Sequence, residues 1–243
     1  NGYLVINADD EELLKIAHQT NKKIITFGES PESDFRLTDY SSREGITRGI
    51  FEYKNNSYEL VLQIPGKFNL LNALAAIAAI APLHSEALEK HNLKNFKSTA
   101  RRFENKGKIN GAQCFDDYAH HPKEVEAAIK AINDWYPNSR KVIAFQSHTY
   151  SRTKQLFNDF VDSFEKAGEV VMIDIFSSAR EKDDPTISSD LLCEKIQEKY
   201  PNVKAQNLKN IETLSDFFND NLQPGDIFIT LGAGDIYEVY ELI

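Results

Sequence analysis

Two carboxylates, a phenol and two imidazoles stand side by side in Asp116-Asp117-Tyr118-Ala119-His120-His121, followed by Pro122. Imidazoles exchange protons near neutrality, and carboxylates accept hydrogen bonds or charge. Such a stretch can bind and can carry acid–base chemistry; the plainer alternative is a capped helix with two solvated histidines. Three more polar clusters follow: Ser147-His148-Thr149-Tyr150-Ser151-Arg152-Thr153, Ser177-Ser178-Ala179-Arg180-Glu181 and Gly232-Ala233-Gly234-Asp235. The glycine turn lacks the third glycine of a dinucleotide fingerprint, and adjacent histidines point apart, so no metal is assigned.

The elements around these clusters say where they lie. Ala112-Gln113-Cys114-Phe115 is a short buried strand, and Val125, Ala128, Ile129 and Ile132 recur at helical period, with Pro122 suited to the first turn. Strands are predicted at 141–146, 169–175, near 203 and at 226–231. Between them run a single helix with Leu156, Phe157, Phe160, Val161 and Phe164 on its core face, a helix at 188–199, and one near 214–218; a last helix starts after the glycine turn. This alternation predicts a doubly wound, mainly parallel α/β sheet. All four polar clusters then fall at strand exits, the edge where open α/β sheets bind ligands and helix N–H groups favour anions.

Upstream, a strand at 3–7, a helix at 9–18 begun by acidic residues, and a strand at 23–27 form one βαβ unit. Alternating stretches at 35–39, 47–53 and 58–64, with Asn55-Asn56 as the last turn, predict an antiparallel meander. An alanine-rich helix follows Gly66 and ends at Pro82, and 84–96 reads as a connector. The expected division is a partial α/β domain at 1–94 and a second domain at 95–243. Asn69 and Asn72 share a helix face. They are either a cap with a polar spot or a pair of amides able to hydrogen-bond a heterocycle such as adenine.

Composition narrows the classes. The 243 residues carry a net charge of −9, which argues against general nucleic-acid or anionic-membrane binding. The longest apolar run, 73–83, is too short to span a bilayer. Cys114 and Cys193 sit in apolar patterns, which favours buried thiols in a reducing compartment, hence the cytoplasm. The chain starts without Met directly in a strand and is expected to be a piece of a longer protein.

Taken in order, the segment Gly66 to Ala73, Arg101-Arg102-Phe103, the run Asp116 to Pro122, the run Phe145 to Thr153, and Gly232 to Ile236 resemble the Mur ligases of peptidoglycan synthesis over nearly the whole chain. Within that family the resemblance is to the branch that adds L-alanine to UDP-N-acetylmuramate, because the diaminopimelate- and lysine-adding branches carry a different motif at His148 to Arg152. Two positions depart from the pattern: Phe68, where relatives often have His, and Ser147, where they usually have proline. The serine is expected to loosen the His148 loop.

The resemblance implies a three-domain enzyme, with this chain its central-domain tail and its carboxy-terminal amino-acid-binding domain. The sequence contains no G-x-x-x-x-G-K-[ST], so this stretch alone is expected not to ligate. ATP with Mg²⁺ is expected to phosphorylate the sugar's carboxylate, and L-alanine then to displace phosphate. The resemblance places Asn69 and Asn72 by adenine, Arg102 near the phosphates and Asp117 at the ribose. Tyr118, His120, His148 and Arg152 would line the alanine pocket, with His120 or His148 as the base. The alternatives are Arg152 paired with Asp159 and Tyr118 in the core. Among functions, they are a recycling ligase that takes a whole tripeptide, or a noncatalytic nucleotide or amino-acid binding module, which need not keep both an amine-side and a nucleotide-side cluster.

Overall fold

A computed structural model describes residues 2–43, 45–178 and 181–243. The chain divides into two compact units, Asn1–Lys97 and Ser98–Ile243.

The first unit is built from β1 (Tyr3–Asn7), α1 (Glu11–Ala17), β2 (Lys23–Gly28), β3 (Phe35–Arg43), β4 (Ile46–Tyr53), β5 (Asn56–Leu62) and α2 (Lys67–Ile80). They form one sheet in sequence order, parallel from β1 to β3 and antiparallel from β3 to β5. The meander is therefore an extension of the βαβ unit, joined to it where Phe27 and Gly28 pair with Phe35 and Arg36. Helix α1 starts later than its acidic run predicts, because Asp10 is its cap, accepting from Leu13 N at 2.9 Å. Asp9 points elsewhere: its carboxylate accepts from Glu29 N and Ser30 N and ties the ends of β1 and β2 together. The hairpin turn lies at Lys54-Asn55, one residue before the predicted pair, since both have positive φ (49° and 64°) and Tyr53 pairs with Asn56. Positive φ at both central positions matches the right-handed twist of the strands. The small residues of α2 let it lie close on the sheet, where Leu70, Leu74 and Ile77 pack with Phe35, Phe51, Leu60 and Leu62.

The second unit comprises β6 (Glu104–Ile109), β7 (Ala112–Asp117), α3 (Pro122–Trp135), β8 (Lys141–Phe145), α4 (Tyr150–Gln155), α5 (Phe157–Ser163), β9 (Glu169–Met172), α6 (Ser189–Lys199), β10 (Lys204–Asn207), α7 (Ile211–Asn221), β11 (Ile227–Leu231) and a closing 3₁₀ turn (Ile236–Glu241). Strand order is β10-β9-β8-β11-β7-β6, parallel except for β6. Apolar clusters cover both faces. One gathers Val125, Ile129, Phe160, Phe164 and Ile196, the other Leu214, Phe218, Ile236 and Val239.

Three elements differ from expectation. Strand β6 was not anticipated, because its four central residues are exposed, none of the six is buried, and they give no apolar alternation. The single helix expected after β8 is two, since Leu156 (φ −109°, ψ 23°) leaves helical geometry between α4 and α5. The last helix is the 3₁₀ turn that buries Ile236 and Val239. Among the described residues no helix is long and apolar enough to cross a membrane.

Candidate active site

The carboxyl end of β7 delivers Asp116 and Asp117, both buried, at 1% and 7% exposure. Asp116 accepts from Arg101 Nε at 3.1 Å and from Thr230 Oγ1 at 2.6 Å. The same guanidinium donates to Gly232 O and Gly234 O and lies 4.1 Å from the Tyr237 ring centroid. Asp116 and Arg101 thus pin the glycine turn beneath the site. Asp117 faces the other way. Its oxygens accept from Phe103 N and Ala119 N, each at 2.8 Å, and burial pushes its carboxyl up to about 6 against these hydrogen bonds. It braces the loop that carries Tyr118 and His120.

Tyr118 is half-buried, not core: its ring lies 5.5 Å from the Arg102 guanidinium and meets the His120 ring edge-on at 5.1 Å. His120 Nδ1 lies 2.9 Å from Tyr118 O, and a carbonyl only accepts, so Nδ1 carries the proton in this contact. In the neutral ring the lone pair is then at Nε2. Glu124 Oε2 accepts from the backbone N of His120 and of His121 and stands 3.4 Å from His120 Nδ1. His121 is exposed and starts α3.

From the end of β8 come Ser147, His148 and, in α4, Arg152. The Ser147 segment is tied down on several sides. Ser147 Oγ is bonded to Thr153 Oγ1, Ser147 O accepts from Phe176 N, and Thr149 N donates to Phe176 O, both backbone bonds at 2.9 Å. The hydroxyl supplies a tether that proline would lack. His148 stacks on Phe176, with ring centroids 5.5 Å apart and 13° between planes, and lies 6.5 Å from the His120 ring. Burial first, then the Arg152 charge, with a smaller contribution from His120 in its protonated form, push its pKa down. His148 Nδ1 and Arg152 Nη1 are buried and, among the described residues, have no hydrogen-bond partner. Among the described residues no carboxylate forms an ion pair with Arg152, Asp159 included.

Tyr118, His120, His148 and Arg152 are therefore brought to one edge of one sheet. Arg102 is exposed and, among the described residues, has no ion-pair partner. Asn69 and Asn72 belong to the other unit, where Asn69 Nδ2 donates to Pro65 O at 2.7 Å, ahead of an α2 start that has no side-chain cap, and Asn72 is exposed. Of the Ser177-to-Glu181 cluster, Ala179 and Arg180 lie outside the described residues. Glu124 and Phe176 were not anticipated, and Arg101 and Glu181, though inside segments the sequence singles out, were given no role of their own. Glu124 had a signal, an acid at the third position of a helix opened by proline; the others act on residues far along the chain. Among the described residues no group of three or more His, Cys, Asp or Glu is arranged to hold a metal ion.

The site can thus offer a cationic fork, a histidine with a defined acceptor nitrogen and a neutral second imidazole. The family model of the Mur ligase middle domain matches residues 1–80, and that of the Mur ligase glutamate ligase domain matches 101–234. A UDP-N-acetylmuramate--L-alanine ligase of Clostridium acetobutylicum is 40% identical over 99% of this chain and 52% of its own length. The chain spans about half the length of the curated relatives it matches. The UDP-N-acetylmuramate-alanine ligase structure from Thermotoga maritima superposes at a TM-score of 0.77 and 25% identity, covering 98% of this chain and 49% of that one. The MurF ligase of the same organism, in complex with ADP, has the same fold, with a TM-score of 0.77 at 20% identity over 100% of this chain and 53% of that one.

Proposed function

The chain belongs to the Mur ligase family, and from that premise we propose that its second unit holds the amino-acid site of an ATP-dependent ligase joining L-alanine to UDP-N-acetylmuramate. The observation that carries this reading is the convergence of Tyr118, His120, His148 and Arg152, with Arg152 Nη1 buried and, among the described residues, unpaired. A buried guanidinium nitrogen without a partner costs on the order of 1–3 kcal/mol, a cost that a ligand carboxylate offsets through two parallel charge-assisted bonds.

In this reading residues 1–94 are the tail of the ATPase domain, with Asn69 and Asn72 toward adenine, and 95–243 are the amino-acid domain. Arg102, free of ion pairs among the described residues, meets the phosphates, and Asp117 the ribose hydroxyls through the lone pairs its backbone bonds leave over. Transfer of the ATP γ-phosphoryl group to the sugar's carboxylate gives an acyl phosphate and ADP. The amine of L-alanine attacks the carbonyl carbon, the C–N bond forms and phosphate leaves. The amine's proton goes to His120 Nε2, whose ring is oriented by Tyr118 O and Glu124. His148, kept neutral by burial and by Arg152, lies against the substrate as an uncharged hydrogen-bonding partner. Mg²⁺ is expected with ATP, but the described residues offer no ligand set for it, and no step here runs through it. ATP and nucleotide-activated sugars put the reaction in the cytoplasm, in accord with two unpaired buried cysteines.

Arg152→Lys tests the pocket in the ligase of which this sequence forms part. Lysine keeps the charge but loses the fork, so the KM for L-alanine rises roughly ten- to a hundredfold, about 1.4–3 kcal/mol, while the KM for ATP stays put. An unchanged alanine KM removes Arg152 from the pocket.

A further inference from the structure

Helix α4 begins without a cap of its own. Thr149 at its N-cap has φ +70° and makes no side-chain capping bond, and its carbonyl is taken by Thr153 N and Thr153 Oγ1. A helix start leaves N–H groups without intrahelical acceptors. Here those of Tyr150 and Ser151 are met from thirty residues downstream: Glu181 Oε2 accepts from Tyr150 N at 2.7 Å and Oε1 from Ser151 N at 2.8 Å. The same segment grips the helix one turn further on. Lys154 Nζ donates to Asp184 Oδ2 at 2.8 Å and to Thr186 Oγ1 at 2.9 Å, and Asp184 Oδ1 in turn accepts from Thr186 N at 2.9 Å. Arg152 sits between the two grips.

We propose that Glu181 is a positioning residue for the amino-acid substrate: by capping α4 from outside with both carboxylate oxygens, it sets the direction in which Arg152 presents its guanidinium fork. The proposal rests on the reading of Arg152 as the carboxylate anchor. A six-residue helix has too few internal hydrogen bonds to hold its own orientation, and α4 meets α5 at a break rather than continuing into it. The phase of its first turn is therefore set by what holds Tyr150 N and Ser151 N. Glutamine keeps the shape of Glu181 but offers one acceptor oxygen, and its amide N–H₂ opposes the second backbone N–H.

The test compares Glu181→Ala, Glu181→Gln, Arg152→Lys and the double variant Glu181→Gln/Arg152→Lys in the phosphate-releasing ligase. Each Glu181 variant raises the alanine KM about tenfold, as expected for losing one to two charge-assisted bonds, with kcat and the ATP KM within about twofold. In the double variant the Glu181 change adds nothing to Arg152→Lys, because there is no fork left to aim. In the 243-residue chain, amide exchange of Tyr150 and Ser151 speeds up in Glu181→Gln. An alanine KM unmoved by both Glu181 variants, a full additional effect on top of Arg152→Lys, or unchanged amide exchange overturns the proposal while leaving the pocket reading intact. If Arg152→Lys itself leaves the alanine KM unchanged, the pocket reading fails and this inference with it.

Discussion

Burial lifts the Asp117 carboxyl from its ordinary 3.8 to about 6 although each oxygen accepts a backbone N–H. A folded-state pKa above the unfolded one means that the folded chain binds more protons between these values. The stabilisation from protonating Asp117 is fully present below about pH 4 and lost as pH rises through 6, about 3 kcal/mol over the window. Carboxyl ¹³C titration of the chain by NMR should give Asp117 a midpoint near 6; a midpoint below 4 would show that the two N–H bonds outweigh burial. His148 moves the opposite way, for burial disfavours the charged imidazole. Residue types and the alternation of elements sufficed to put the clusters around His120 and His148 on one sheet edge; the choice of Tyr118, His120, His148 and Arg152 within them came from the resemblance to the family. They did not suffice for Arg101, whose acceptors Gly232 O and Gly234 O come from another strand's exit, nor for Glu181. A hydrogen bond to a distant backbone leaves no periodic trace.

At the level of elements, helical period located α3 and the buried runs located the central strands, because those positions bury one face or both. The edge strand β6 escaped for the converse reason. Its signal lay in the turn, Asn110-Gly111, where both residues have positive φ (51° and 85°) and the pair Asn-Gly announces a tight hairpin. The break between α4 and α5 has no such sign. The glycine turn after β11 is legible in part. Gly232 has φ +149°, and a Cβ there would stand 2.6 Å from Gln146 O, a backbone atom that cannot step aside. Gly232→Ala should therefore destabilise the chain by about 2–4 kcal/mol, from strain and from displacing the strand end that bears His148. Urea unfolding of the variant measures it; a loss under about 1 kcal/mol would mean that the turn and the β8 exit move apart freely.

For the molecule as a whole, the first unit carries one apolar cluster and the second two, and the proposed site residues divide between the units: Asn69 and Asn72 in one, the remaining six in the other. The family follows from ordered motifs spread over nearly the full sequence, whereas the proposed substrate rests on the residues gathered at one edge of the second unit's sheet. The sequence has no P-loop, so phosphoryl transfer has to be measured in a chain that includes one. The most direct measurement is phosphate release by that ligase, with ATP and UDP-N-acetylmuramate, offered L-alanine or a tripeptide as the amine. A pocket built on one guanidinium fork beside two imidazoles predicts rapid release with L-alanine and little with the tripeptide. A clear preference for the tripeptide would contradict the account and make the chain part of a recycling ligase.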